Sequence, residues 1–113
     1  MKKIISIARE FSKDRISREA GEKLRTLIVQ AGYEHQQLVI DFNHLIVAST
    51  SFLDEGLAKL ADEGWTARDV DKKIVLKNIH PLDRELLQTL SQDRWPKSGC
   101  PRWKGEKKPS GAN

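Results

Sequence analysis

Thr50 and Ser51 are adjacent hydroxyls followed within one helical turn by the carboxylates of Asp54 and Glu55. Hydroxyls at a helix start accept hydrogen bonds from unpaired backbone N–H groups, and they are also the groups that take a phosphate. A phosphate there would add close to two negative charges to a surface already holding two acids, which a docked partner would feel strongly. Other chemistries have weaker support. Ser51, His80 and Asp41 supply the residue types of a hydrolase triad, but no Gly-x-Ser-x-Gly elbow surrounds the serine. His35, His44 and His80 lack cysteines or carboxylates at ligand spacing, so no metal site is expected. Gly21, Gly32, Gly56 and Gly64 stand isolated rather than in a phosphate-cradling loop, so no cofactor is expected. The residue pattern therefore predicts a binding protein and not an enzyme.

The hydroxyls need a scaffold that brings them to a surface. Leu38-Val39-Ile40-Asp41-Phe42 is the clearest strand, and its apolar run is as expected of a central strand of a parallel sheet buried on both faces. Lys3 to Ala8 reads as a first strand and Lys73 to Lys77 as a third. Between them, Ser17 caps a helix with apolar positions at Ala20, Leu24, Leu27, Ile28 and Ala31, and Ser51 caps one with Leu53, Leu57, Leu60 and Ala61. Asp54 stands three residues after Ser51, as in a capping box, and Gly64 ends that helix. Pro81 opens a third helix with Leu82, Leu86, Leu87 and Leu90 as its inward stripe, while Arg9 to Ile16 and Trp65 to Lys72 read as polar connections. The order implies an α/β fold, a small and mostly parallel sheet of three to five strands flanked by helices, with strand one free to pair antiparallel at the edge. In such sheets ligands and partners gather at the carboxyl ends of the strands, which here is the segment Asn43 to Ser51.

The chain has 113 residues, 38% apolar and 32% charged, enough for one domain. The formal charge of +4 is unevenly placed: residues 94–113 hold six basic residues against one acid, a net of +5, which leaves the remainder at −1. A domain over 1–93 and a flexible, basic, tryptophan-containing tail over 94–113 are expected. Apolar runs fall far short of the roughly 20 residues that span a bilayer, no signal peptide is recognised, and the single Cys100 suits a reducing compartment, so a cytoplasmic location is expected.

The segment from Val39 to Ser51, an apolar strand ending in Asp41, an apolar linker Leu45-Ile46-Val47-Ala48, then Ser49-Thr50-Ser51, resembles the STAS domain of sulphate transporters and anti-sigma-factor antagonists. Ser51-Phe52-Leu53-Asp54-Glu55 is similar to the helix start of the divergent STAS-like domains of unknown function. The resemblance implies a four- or five-stranded sheet and a regulatory protein partner, a GHKL-type ATPase or kinase of the anti-sigma-factor type. It aligns Thr50, then Ser51, with the phosphorylated residue of the antagonists, although Ser49 stands where they have an acid and Phe52 where they have glycine. The expected partner surface is Asp41, Asn43, His44, Ser49, Thr50, Ser51, Asp54 and Glu55. An alternative is nucleic-acid or anionic-surface binding by the tail, with Trp95 and Trp103 stacking on bases among Arg94, Lys97, Arg102 and Lys104.

Overall fold

The computed structural model describes residues 2–34, 37–96 and 99–105. Strand β1 (Lys2–Ser6) runs directly into a one-turn helix α1 (Ile7–Glu10), and helix α2 (Arg18–Glu34) leads to β2 (Gln37–Asp41). After the loop that follows β2 come α3 (Thr50–Gly56), a 3-10 helix (Ala58–Glu63), α4 (Ala67–Lys73), β3 (Ile74–Lys77) and α5 (Pro81–Arg94). The three strands lie in the order β1-β2-β3 and all pair parallel, which settles the pairing of the first strand. The described residues thus hold three strands, fewer than the four or five the resemblance implies.

Register explains which face is covered. Ile5, Ile40 and Leu76 are paired neighbours on one face, and Leu38 and Ile74 join them there. All five belong to the core, with Leu24 and Ile28 from α2, Phe52, Leu53 and Leu57 from α3, and Leu87 from α5. The opposite face carries the row Ile4–Val39–Val75, in which Val39 is buried, Val75 half-buried and Ile4 51% exposed. Parallel strands added in sequential order by right-handed crossovers place their connecting helices on one side, and a one-sided core is the result.

Several local expectations need correction. The first strand stops at Ser6 rather than Ala8, and Ile7 and Ala8 with Arg9 and Glu10 form α1, whose cap is the Ser6 hydroxyl accepting from the Arg9 N–H. Trp65 to Lys72 contains α4, started by a complete capping box between Thr66 and Asp69 that the mixed charges concealed. The helix expected from Ser51 to Glu63 breaks at Leu57 into α3 and the 3-10 helix, and Gly64, at φ 86, closes the second piece. Leu82 is exposed, so the inward stripe of α5 starts later than its leucine spacing suggests.

Residues 94–96 and 99–105 of the expected tail are part of the folded unit. Arg94 is the last residue of α5, Trp95 is buried, and Trp103 is fully buried, so a flexible segment does not start at residue 94. Their indoles meet edge to face with centroids 6.2 Å apart, and burial of two such large rings outweighs the entropy of a Pro- and Gly-rich segment. Residues 106–113 and Lys97 lie outside the described residues.

Candidate functional site

All three strands end at one edge of the sheet, and short polar side chains knit those ends together. Asp41 Oδ1 accepts from the Asn43 N–H at 2.8 Å and from Asn78 Nδ2 at 3.0 Å. Asn43 Oδ1 in turn accepts from the Ala8 N–H at 2.8 Å and the Ser6 hydroxyl at 3.1 Å. Asn43, His44 and Asn78 sit in the left-handed region, with φ of 56, 62 and 56°, which asparagine tolerates better than most residues. Asp41 and Asn43, both placed in the expected partner surface, therefore shape the loop from within. His44 is exposed and remains available to a partner.

The next residues are held from the other side of the loop. Asp83, in the first turn of α5 and fully buried, accepts from the Val47 N–H at 2.7 Å and the Ala48 N–H at 2.8 Å, one bond to each carboxylate oxygen. These two bonds hold Ala48 at φ 49, a conformation that costs a non-glycine residue about 1 kcal/mol. Sequence reasoning missed Asp83. An acid in the first turn of a helix normally serves its own N-terminus, and here His80 Nδ1 has that role by accepting from the Leu82 N–H.

The cap of α3 is Ser49, not Ser51. Its Oγ accepts from the Phe52 N–H at 3.1 Å and donates to the Ile16 carbonyl, which fastens the segment before α2 to the start of α3. Thr50 is exposed and Ser51 half-buried, and neither hydroxyl is bonded to another described residue. Asp54 does not complete a capping box: it forms a two-point ion pair with Arg94, at 3.1 and 2.7 Å, that joins α3 to the end of α5. That pair also removes Arg94 from the expected nucleic-acid set.

Glu55 turns inward. Its side chain is 5% exposed and meets Arg18 at 2.8 Å, Arg25 at 3.3 Å and Lys59 at 2.6 Å. Burial pushes the carboxyl up, but the hydrogen bonds from Lys59, Arg18 and Arg25 and the charge of Lys59 outweigh it and hold the pKa at about 2 against an ordinary 4.5. Glu55 and Asp54 thus serve as internal ties.

The exposed surface at this end includes large apolar side chains beside His44 and Thr50. Ile46 is 56% exposed within the loop, Ile16 is 61% exposed beside the Ser49 contact, and Leu82 is 61% exposed next to Asp83. Three large aliphatic side chains thus stand on the segments that surround Thr50. Ile16 carries a faint sequence signal, an isolated apolar residue in a polar stretch, whereas Leu82 fits the helix stripe and gives none. The tail supplies no stacking platform, because Trp95 and Trp103 are buried and the indole N–H groups donate to the Trp65 carbonyl and to Ser91 Oγ. Arg102 and Lys104 are exposed, without an accessible aromatic from their own segment beside them. No metal-binding group of His, Cys, Asp and Glu occurs among the described residues, and no helix among them is long and apolar enough to cross a membrane.

One family model covers this strand, loop and helix. The STAS-like domain of unknown function (DUF4325) matches residues 20–84. The chain belongs to this family. The STAS-like match takes in β2, the loop, α3, β3 and the Asp83 clamp, and leaves β1 and residues 99–105 outside. No curated protein and no solved structure matches the chain.

Proposed function

We propose that this STAS-like domain is a non-enzymatic protein-binding module whose partner docks on residues 43–51, with Ile16 and Leu82 at the margins. The observation that carries the reading is a loop fixed by Asp83, Asn43 and Ser49 that presents Ile46 outward beside an unengaged Thr50 hydroxyl. A surface held in one conformation loses little entropy on binding, and exposed aliphatic side chains supply the area to bury. Asp41 Oδ1, Asn43 Oδ1, Ser49 Oγ and both Asp83 oxygens bond to the protein's own backbone or to neighbouring side chains, which favours binding over chemistry. The likeness of Leu38 to Glu55 to anti-sigma-factor antagonists supports a partner of the GHKL ATPase or kinase class. It also supports Thr50, then Ser51, as the residue such a kinase would phosphorylate. A phosphate on Thr50 would place its charge among Ile16, Ile46 and Leu82 and disfavour a docked apolar surface.

The test compares wild type with Thr50→Glu and Ile46→Asp. A partner is first identified by co-purification with the native chain and then titrated against each variant. Both substitutions are expected to weaken its binding at least tenfold while leaving the circular dichroism spectrum and melting temperature unchanged. Equal affinity of all three proteins removes this face as the docking surface. Loss with Ile46→Asp alone keeps the surface and removes the switch.

A further inference from the structure

Residues 99–105 lie against the outer edge of β3 as a strand does. Pro101 and Trp103 turn inward and are buried, and Arg102 and Lys104 turn outward, the two-residue alternation of an extended chain. The Leu76 N–H donates to the Lys104 carbonyl at 2.8 Å, and Leu76 and Gly105 form a parallel bridge. The Arg102 N–H donates to Asp71 of α4 at 2.8 Å, and the Arg102 carbonyl accepts from Gln88 of α5 at 3.3 Å. Arg84 donates to the Trp103 carbonyl. All these bonds address main-chain atoms, and the side-chain reading comes from the indole alone, whose N–H reaches Ser91 Oγ at 2.8 Å beside the Trp95 ring. Main-chain pairing on a sheet edge with a pocket for alternate side chains is how proteins bind extended peptides.

The seated segment is also under strain. Trp103 is held at φ 51, a region unfavourable for a bulky side chain, and Gly99 at φ 82 precedes it as a turning point. We propose that the outer edge of β3, with the slot formed by α4 and α5, is an acceptor for an extended tryptophan-bearing segment. In this chain its own residues 99–105 fill it, and they leave it as a unit without the remainder unfolding. The short connection from α5 gives the segment a high effective concentration, so an equivalent peptide cannot compete until the resident indole is removed.

Two measurements on the full chain test this. In wild type, the amides of Arg102 and Leu76, both bonded in the seated state, are expected to exchange with solvent together. Their rate should be at least tenfold faster than that of Ile40 in the central strand. Exchange of Leu76 at the Ile40 rate, meaning release only with global unfolding, overturns the proposal and does not depend on any variant folding. In Trp103→Ala, a fluorophore-labelled peptide with the sequence of residues 99–105 should bind saturably. The same peptide with alanine for its tryptophan should not bind, and wild-type protein should bind neither at the same concentration. Absent binding to a folded Trp103→Ala chain, or equal binding of the two peptides, overturns it as well.

Discussion

Glu55 illustrates how a residue's role changes when its neighbours become known. In the sequence it is one of two acids after a hydroxyl pair, and in three dimensions it is a buried anion shared by Arg18, Arg25 and Lys59. Its depressed pKa means that the folded state holds the ionised form more tightly than the unfolded chain does. The associated stability is therefore complete above the ordinary value near 4.5 and is lost as pH falls through about 2. A shift of this size corresponds to about 3 kcal/mol, so Glu55→Gln should lower the unfolding free energy at pH 7 by roughly that amount. Denaturant melts at pH 7 and pH 3 check it, the difference between wild type and variant shrinking at the lower pH. The candidate site was legible at this scale only in part. Thr50 and His44 are as exposed as expected, because a helix start and a turn leave them there. The fates of Asp54 and Asp83 and the arginine contacts of Glu55 depended on partners 30 or more residues away along the chain, which no local pattern encodes, whereas Lys59 stands one turn after Glu55.

Elements followed the sequence where a single period ran long enough. The apolar face of α2, the buried run of β2 and the proline-started α5 are all present, since each carries its own signal over a turn or more. Breaks came at α1, α4 and the interruption of α3, where seven residues or fewer give too few apolar repeats to define a face. What brings α3 so close to α2 is likewise invisible from one helix: Gly21 and Gly56 meet at the contact. A Cβ on Gly21 would stand 2.8 Å from the Phe52 carbonyl oxygen and 2.8 Å from the Glu55 Cβ, and one on Gly56 would stand 2.8 Å from a Leu24 methyl group. Gly21→Ala gains helix propensity of up to about 1 kcal/mol but must push the helices apart, at a typical cost of about 2 kcal/mol or more. A net loss of stability is expected in thermal or chemical melts. A gain would show that the helices separate easily.

For the whole molecule, the sheet with helices on one side makes a sharp distinction between neighbours in β1. Ile5 faces the core and Ile4, on the other face, is half exposed, so Ile5→Ala should cost about 3 kcal/mol, while Ile4→Thr should stay within about 1 kcal/mol. Equal effects would mean that something covers the outer face in solution. The α/β class and the parallel sheet were legible from the order of the strands and helices. The extent of the folded unit was not, because residues 99–105 have no helical period and too many Pro, Gly and Lys to read as structure. Only the slot for Trp103 makes them part of the domain.

The covered edge of β3 has a consequence during synthesis. The residues that close it are translated after α5, so the strand they protect is made first. Until residues 99–105 dock, the Leu76 amide is open to any neighbouring extended chain. A chain cut short before residue 99 would be a domain able to pair with other chains, a hazard that the seated segment suppresses on that side.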